Sequence, residues 1–253
     1  MEEIKIVELK ESILEDNDKD ANLLREELRK KNLFLINLMS APGSGKTTML
    51  VNLNKKLAGK VDLSVLEADI DSDTDAKTML ENGINSVQLH TGGMCHLDAD
   101  MTRQGINALE EFYEKSANSC KNNGNLTEKD DFLRENEKLN GIVVLENIGN
   151  LVCPAEYDTG AFKNIAILSV PEGDDKPIKY PLMFSKVDLV LISKTDTLKY
   201  FDFDIEKCKD SIFKLNKNAK VILISSVSGE GYDELAETIL NFYKEWVSEN
   251  GKC

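Results

Sequence analysis

The sequence predicts an α/β protein in three layers, with helices on both faces of a mostly parallel sheet. Three observations carry this. Short apolar runs alternate with amphipathic stretches from residue 33 almost to the C-terminus. The runs are continuous in Val, Ile and Leu, as in strands covered on both faces, and do not alternate polar with apolar. A glycine-rich loop follows the first run and leads at once into a helical stretch, the order of a phosphate-binding strand, loop and helix.

The elements follow in order. Residues 1–31 are highly charged, and only 21–31 carry Leu23, Leu24 and Leu28 at helical spacing with Arg and Glu between them. That stretch is expected to be an amphipathic helix laid on the main domain. The chain thus divides into an amino-terminal helical extension, 1–31, and a main domain, 32–253. Strands are expected at 33–39, 62–68, 86–90, 142–147, 165–170, 188–193 and 221–225. Helices are expected at 45–58, 74–82, 98–115, 178–186, 204–217 and 230–249, with Asp204 as an N-cap and Gly231 opening the last. Residues 114–140 are polar throughout and read as a surface excursion. No internal repeat or sustained heptad is visible.

Composition narrows the function. At 253 residues the chain has room for a sizeable core, and 41% hydrophobic with 30% charged residues is ordinary for a folded protein. Lys and Arg total 31 against 45 Asp and Glu, a net charge of −14 that repels phosphate backbones and anionic lipid, so neither nucleic acid nor membrane is an expected partner. No apolar run approaches the roughly 20 residues of a membrane-spanning helix. The first residues lack a basic and apolar leader pattern, and the expected location is cytoplasmic. The five cysteines (Cys95, Cys120, Cys153, Cys208, Cys253) are odd in number and widely spread, so structural disulfides are not expected.

Ser40 to Thr48 reads SAPGSGKTT. Gly43 and Gly45 let backbone amides turn inward around phosphate oxygens, Lys46 would reach the β and γ phosphates, and the Thr47 hydroxyl would bind Mg²⁺. Ser40 replaces the first glycine of the usual motif, where the turn begins. A second strand ends at Asp69 and runs into an acidic stretch, so Asp69 or Asp75 could hold Mg²⁺ or position the attacking water. Glu146, also at a strand end, is a further catalytic candidate.

Residues 193–196, SKTD, resemble the guanine signature N-K-x-D with Ser193 in place of Asn. The Asp196 carboxylate can accept from the two guanine N–H groups that adenine lacks, and the Lys194 stem can pack on the ring. Loss of the Asn is expected to remove a strut to the phosphate loop and weaken nucleotide affinity without changing the base. Residues 225–231, SSVSGEG, look like the second base-contacting loop, with amides of Ser226 or Val227 facing the guanine O6.

Cys95 and His96 are adjacent on a loop that opens the helix expected at 98–115, and Cys153 lies just past a strand expected to end at the same sheet edge. Two thiolates and an imidazole suit Ni²⁺ or Zn²⁺. Three ligands leave a site open to water or to a second copy of the chain across a two-fold axis. His90 is expected to be structural, and Cys120, Cys208 and Cys253 receive no role.

Together, SAPGSGKTT, EADIDSDTDA, TGGMCHLDAD, ENIGNLVCP, SKTD and SSVSGEG occur in the order of the nickel-insertion GTPases of NiFe-hydrogenase maturation, the HypB family, which the chain resembles over about residues 33–245. The resemblance implies a P-loop GTPase of the dimerising SIMIBI class, related to signal-recognition and partitioning nucleotidases. It implies nucleotide residues at Gly43, Ser44, Gly45, Lys46, Thr47, Thr48, Lys194 and Asp196, for GTP or GDP, and metal ligands at Cys95, His96 and Cys153. It also implies a homodimer in the GTP state and partners of three kinds: a small zinc- and nickel-binding maturation protein, a nickel-storing chaperone, and the hydrogenase large subunit as client. The amino-terminal C-x-x-C-G-C site and His-rich tract of some members are absent: no cysteine precedes Cys95 and there are two histidines. Slow turnover is expected, because Arg103 is the one evident arginine-finger candidate. The rival readings are a urease-type nickel-chaperone GTPase, whose motif is Cys-Pro-His, a non-catalytic zinc-binding scaffold, and an ATP-dependent partitioning-type ATPase.

Overall fold

The computed structural model describes residues 9–69, 74–122 and 139–251. A single sheet of seven parallel strands runs through it: β1 (Leu33–Ser40), β2 (Leu63–Asp69), β3 (Asn85–His90), β4 (Gly141–Glu146), β5 (Lys163–Ser169), β6 (Leu189–Ser193) and β7 (Lys220–Leu223), in the order β3-β2-β4-β1-β5-β6-β7. Every strand pairing is parallel. All seven expected strands are present. The helices are α1 (Leu9–Lys31) before the first strand, then α2 (Lys46–Leu57), α3 (Thr74–Glu81), α4 (Ala99–Asn122), the short turns α5 (Cys153–Glu156), α6 (Lys176–Lys179) and α7 (Pro181–Lys186), and α8 (Ile205–Leu215) in the connections between strands, and α9 (Tyr232–Asn250) after the last strand.

The strands point their apolar side chains to both faces of the sheet, which is why the runs read as continuous. Phe34, Ile36, Leu38, Val144, Ile165 and Leu191 face Leu50, Leu53, Leu235 and Ile239 of α2 and α9. Leu33, Leu35, Val143 and Leu145 face Leu24 and Leu28 of α1 and Ile106 and Leu109 of α4. Ala166, Leu168, Val190 and Ile192 meet Phe184 of α7 and Ile212 of α8. The result is helix, sheet and helix, with the nucleotide-loop helix α2 on one face and α1 on the other.

Three expectations are revised. The amino-terminal helix starts at Leu9, well before residue 21, with polar bonds holding its charged first half. The helix expected over 178–186 is two pieces, because Pro181 offers no N–H and the chain breaks at Tyr180. α4 continues to Asn122, so the stretch at 114–140 begins as helix; residues 123–138 lie outside the described residues. Asp204 caps α8 as expected, its side chain accepting from the Lys207 amide. Among the described residues no helix is long and apolar enough to cross a membrane.

Candidate functional site

The phosphate loop leaves the centre of the sheet, where β1 lies between β4 and β5. Gly43 and Gly45 have φ of 72° and 97°, in the left-handed region that a side chain disfavours. α2 then starts at Lys46 with no acidic residue in its first turn, so its free amides and positive end face the loop. Ser40 is fully buried and fills the place of the missing glycine with bonds: its Oγ accepts from Ser44 Oγ at 2.7 Å and from Lys46 Nζ at 3.0 Å. Thr47 is half-buried and Thr48 exposed. Glu146 is buried at the end of β4, its Oε1 4.0 Å from Lys46 Nζ. Beside it in register, on β2, stands a second buried acid, Glu67, to which the sequence alone assigns no separate role; a glutamate inside an apolar run is its signal. Asp69 ends β2 opposite His90 and Asp75 lies in the first turn of α3, but their side chains, with residues 70–73, lie outside what the structure describes.

The 193–196 loop closes on the phosphate loop from β6. Ser193 Oγ donates to the Ser44 carbonyl at 2.8 Å, a buried bond. The expectation that Ser193 would leave the loops untied is thereby corrected: a hydroxyl reaches where the longer amide was thought necessary. Lys194, at φ 59°, donates to the Gly43 carbonyl at 2.7 Å. Asp196 Oδ1 accepts from Ser225 Oγ at 2.6 Å, which ties this loop to residues 225–231. Within that second loop the Val227 amide points to Ser225 Oγ at 3.3 Å, and Ser226 Oγ pairs with the Tyr232 hydroxyl at 2.6 Å. The Val227 side chain is exposed.

The thiol and imidazole groups converge from two loops. Cys95, exposed, donates to Cys153 Sγ at 2.9 Å, although the two are far apart in sequence. His96 Nδ1 is 3.8 Å from Cys95 Sγ, and the His96 ring stacks on Tyr157 with centroids 3.7 Å apart and planes at 13°. Tyr157 was not foreseen. Partial burial pushes the His96 pKa down, which favours the neutral imidazole that a metal binds. The Cys95 thiol is pushed up, first by its bond to Cys153 and then by desolvation. Among the described residues no three such donors are already closed on one point, so metal binding requires the sulfurs to part. Two sulfurs about 2.3 Å from one tetrahedral ion sit roughly 3.7 Å from each other. His90 is exposed at the end of β3, against the expectation of a structural role. Cys208 is buried and its thiol pushed up to about 12 by desolvation, an inert core residue. Cys253 and the Cys120 side chain lie outside the described residues.

One segment, 146–153, joins the two pockets. Glu146 reaches the phosphate-loop lysine; the Asn147 amide donates to the Leu38 carbonyl, and its side chain donates to Asn37 Oδ1 at 3.1 Å. Asn37 passes the chain on to Asn164 Oδ1 at 3.0 Å, a largely buried ladder from the end of β4 through β1 to β5. Gly149 lies against Pro42: a Cβ there would meet Pro42 Cγ at 2.8 Å. Four residues later comes Cys153. Arg103, the arginine-finger candidate, is engaged elsewhere, its Nε bonded to Glu27 of α1 at 3.1 Å.

The chain is similar in sequence and fold to known proteins. Residues 34–223 match the family described as CobW/HypB/UreG, nucleotide-binding domain. The hydrogenase/urease maturation factor HypB of Helicobacter pylori is 39% identical over 241 residues, covering 95% of this chain and 90% of that protein. The hydrogenase maturation factor HypB of Azotobacter chroococcum is 39% identical over 230 residues, 91% of this chain and 67% of that one. Among solved structures, Helicobacter pylori HypB in complex with nickel superposes with a TM-score of 0.77 at 35% identity, over 91% of this chain and 96% of that one. Archaeoglobus fulgidus HypB superposes at 0.74 and 28% identity, over 91% and 100%.

Proposed function

Because the chain belongs to the CobW/HypB/UreG family, and within it to the HypB hydrogenase maturation factors, we propose that it is a GTP-hydrolysing switch that delivers nickel to a hydrogenase large subunit. The observation that carries this reading is the segment 146–153, which touches the phosphate-loop lysine at one end and holds a metal thiol at the other.

The Gly43 to Thr48 amides and Lys46 hold the triphosphate, and Asp196 selects guanine by accepting from its two N–H groups. The Thr47 hydroxyl and the buried Glu146 carboxylate beside Lys46 are hard oxygen donors that fit Mg²⁺, with Asp69 at the neighbouring strand end. When bound, that ion neutralises charge on the phosphate oxygens. Asp69 and Asp75 are the candidates for positioning the attacking water. Cys95, Cys153 and the neutral His96 take nickel as cargo, with Zn²⁺ as its competitor. A second copy of the chain in the GTP state completes the ligand set, and a small nickel- and zinc-binding maturation protein is the upstream partner. Glu146 and Gly149 move with the phosphate loop, and Cys153 moves with them.

The test pairs single-turnover GTP hydrolysis with nickel titration in wild type, Lys46→Ala and Cys95→Ala. Lys46→Ala should lose hydrolysis; Cys95→Ala should keep GTP binding and lose nickel. Nickel binding undiminished in Cys95→Ala would refute the delivery role.

A further inference from the structure

We propose that Asn17 of α1 is a positioning residue for nickel, a strut that sets the distance between the two loops carrying the thiols; the inference rests on the delivery reading above. Asn17 is 9% exposed, and its one amide group reaches both loops. Its Nδ2 donates to the Asp158 carbonyl at 2.9 Å, and its Oδ1 accepts from the Ala99 amide at 3.0 Å. Ala99 is three residues past His96 and Asp158 five past Cys153. A planar amide carries a donor and an acceptor on one rigid group, so a single side chain fixes both contacts at once.

The rest of α1 holds that strut in place. Arg25 donates through Nη2 to both Asp158 carboxylate oxygens, at 2.6 and 2.8 Å, and through Nε to the Ala161 carbonyl at 3.2 Å. On the other side, Arg103 in the first turns of α4 bonds to Glu27 and to the Asp20 carbonyl. Leu24 and Leu28 anchor the helix in the core beneath. A cavity of about 540 Å³ separates Leu14, Asp18 and Asn22 from Pro154 and Tyr157, so polar bonds and not close packing set the spacing there. Groups one step out from metal ligands orient them, and their loss typically weakens metal binding.

The test uses the full chain with Asn17→Ala and Asn17→Asp. Asp at this position keeps the acceptor for the Ala99 amide but cannot donate to the Asp158 carbonyl, so it severs one side of the strut and leaves α1 attached. Nickel affinity is read by competition with a chromogenic chelator, and site geometry by the thiolate-to-nickel charge-transfer absorption; GTP affinity and thermal midpoint are followed in parallel. Both variants should bind nickel about tenfold more weakly with a diminished charge-transfer band, while GTP affinity stays at the wild-type value. Unchanged nickel affinity and absorption, or a parallel loss of GTP affinity that marks general loosening, would overturn the strut. Cys95→Ala separates the two levels: if it still binds nickel normally the delivery reading fails with the strut, and if it loses nickel while the Asn17 variants do not, the strut alone fails.

Discussion

Ser193 anchors the 193–196 loop to the phosphate loop, and Asp196 is the residue proposed to recognise the base. Ser193→Ala removes the donor to the buried Ser44 carbonyl, a loss worth about 1–3 kcal/mol when a buried acceptor is stranded. Denaturant unfolding should report that cost and GTP titration a weaker complex; wild-type values in both would show the bond to be idle. Asp196→Asn offers guanine one acceptor and one donor where two acceptors are needed, and should lower GTP affinity about 10- to 100-fold, by the worth of a charge-assisted hydrogen bond. Titration with GTP and ATP checks it, since ATP affinity should hardly change. The proposed metal ligands carry a pH signature. Nickel displaces the thiol protons, and the raised Cys95 pKa strengthens the proton's hold, so affinity should climb as pH rises from about 7 toward the thiol range. A metal displaces a proton from an imidazole as it does from a thiol, and burial shifts His96 down, so its share of the rise falls at lower pH than that of the thiols. A pH-independent nickel affinity would contradict the thiol assignment.

Among the elements, segment 146–153 has the most to transmit. Gly149→Ala would drive a methyl into Pro42, separating the segment from the phosphate loop while leaving Lys46, Asp196 and the thiols in place. The expected result is a smaller difference in nickel affinity between GDP and GTP-analogue states, measured by parallel titrations; a full-sized difference would place the communication elsewhere. Much of this was legible in the sequence because it is local. A phosphate loop is one contiguous turn, and a strand covered on both faces announces itself as an apolar run. The first half of α1 was not legible, since EDNDKD has no apolar stripe and is ordered by Asn17, whose partners lie 82 and 141 residues away. The Asn37, Asn147 and Asn164 ladder was hidden for the same reason, its partners 110 and 127 positions apart. Tyr157 was invisible as a cover for His96 because only the fold brings the rings together.

At the scale of the whole molecule, strand order does what no single motif can. The phosphate loop follows β1; Glu146 and the Cys153 loop follow its neighbour β4; and Cys95 follows β3, two strands further along. All strands point the same way, so all these loops emerge at one edge of the sheet. Cys95 is exposed, and if a second copy supplies ligands as proposed, nucleotide state would have a second route to the metal through assembly. A coupling of this kind can change metal affinity only by the difference in how GTP and GDP bind the two states. The most direct measurement is the nickel dissociation constant of the intact protein with GDP and with a slowly hydrolysed GTP analogue, taken alongside molecular mass in solution. We predict constants differing by about 5–150-fold with a rise in mass in the GTP-analogue state; identical constants and identical mass would contradict a nucleotide-driven metal switch.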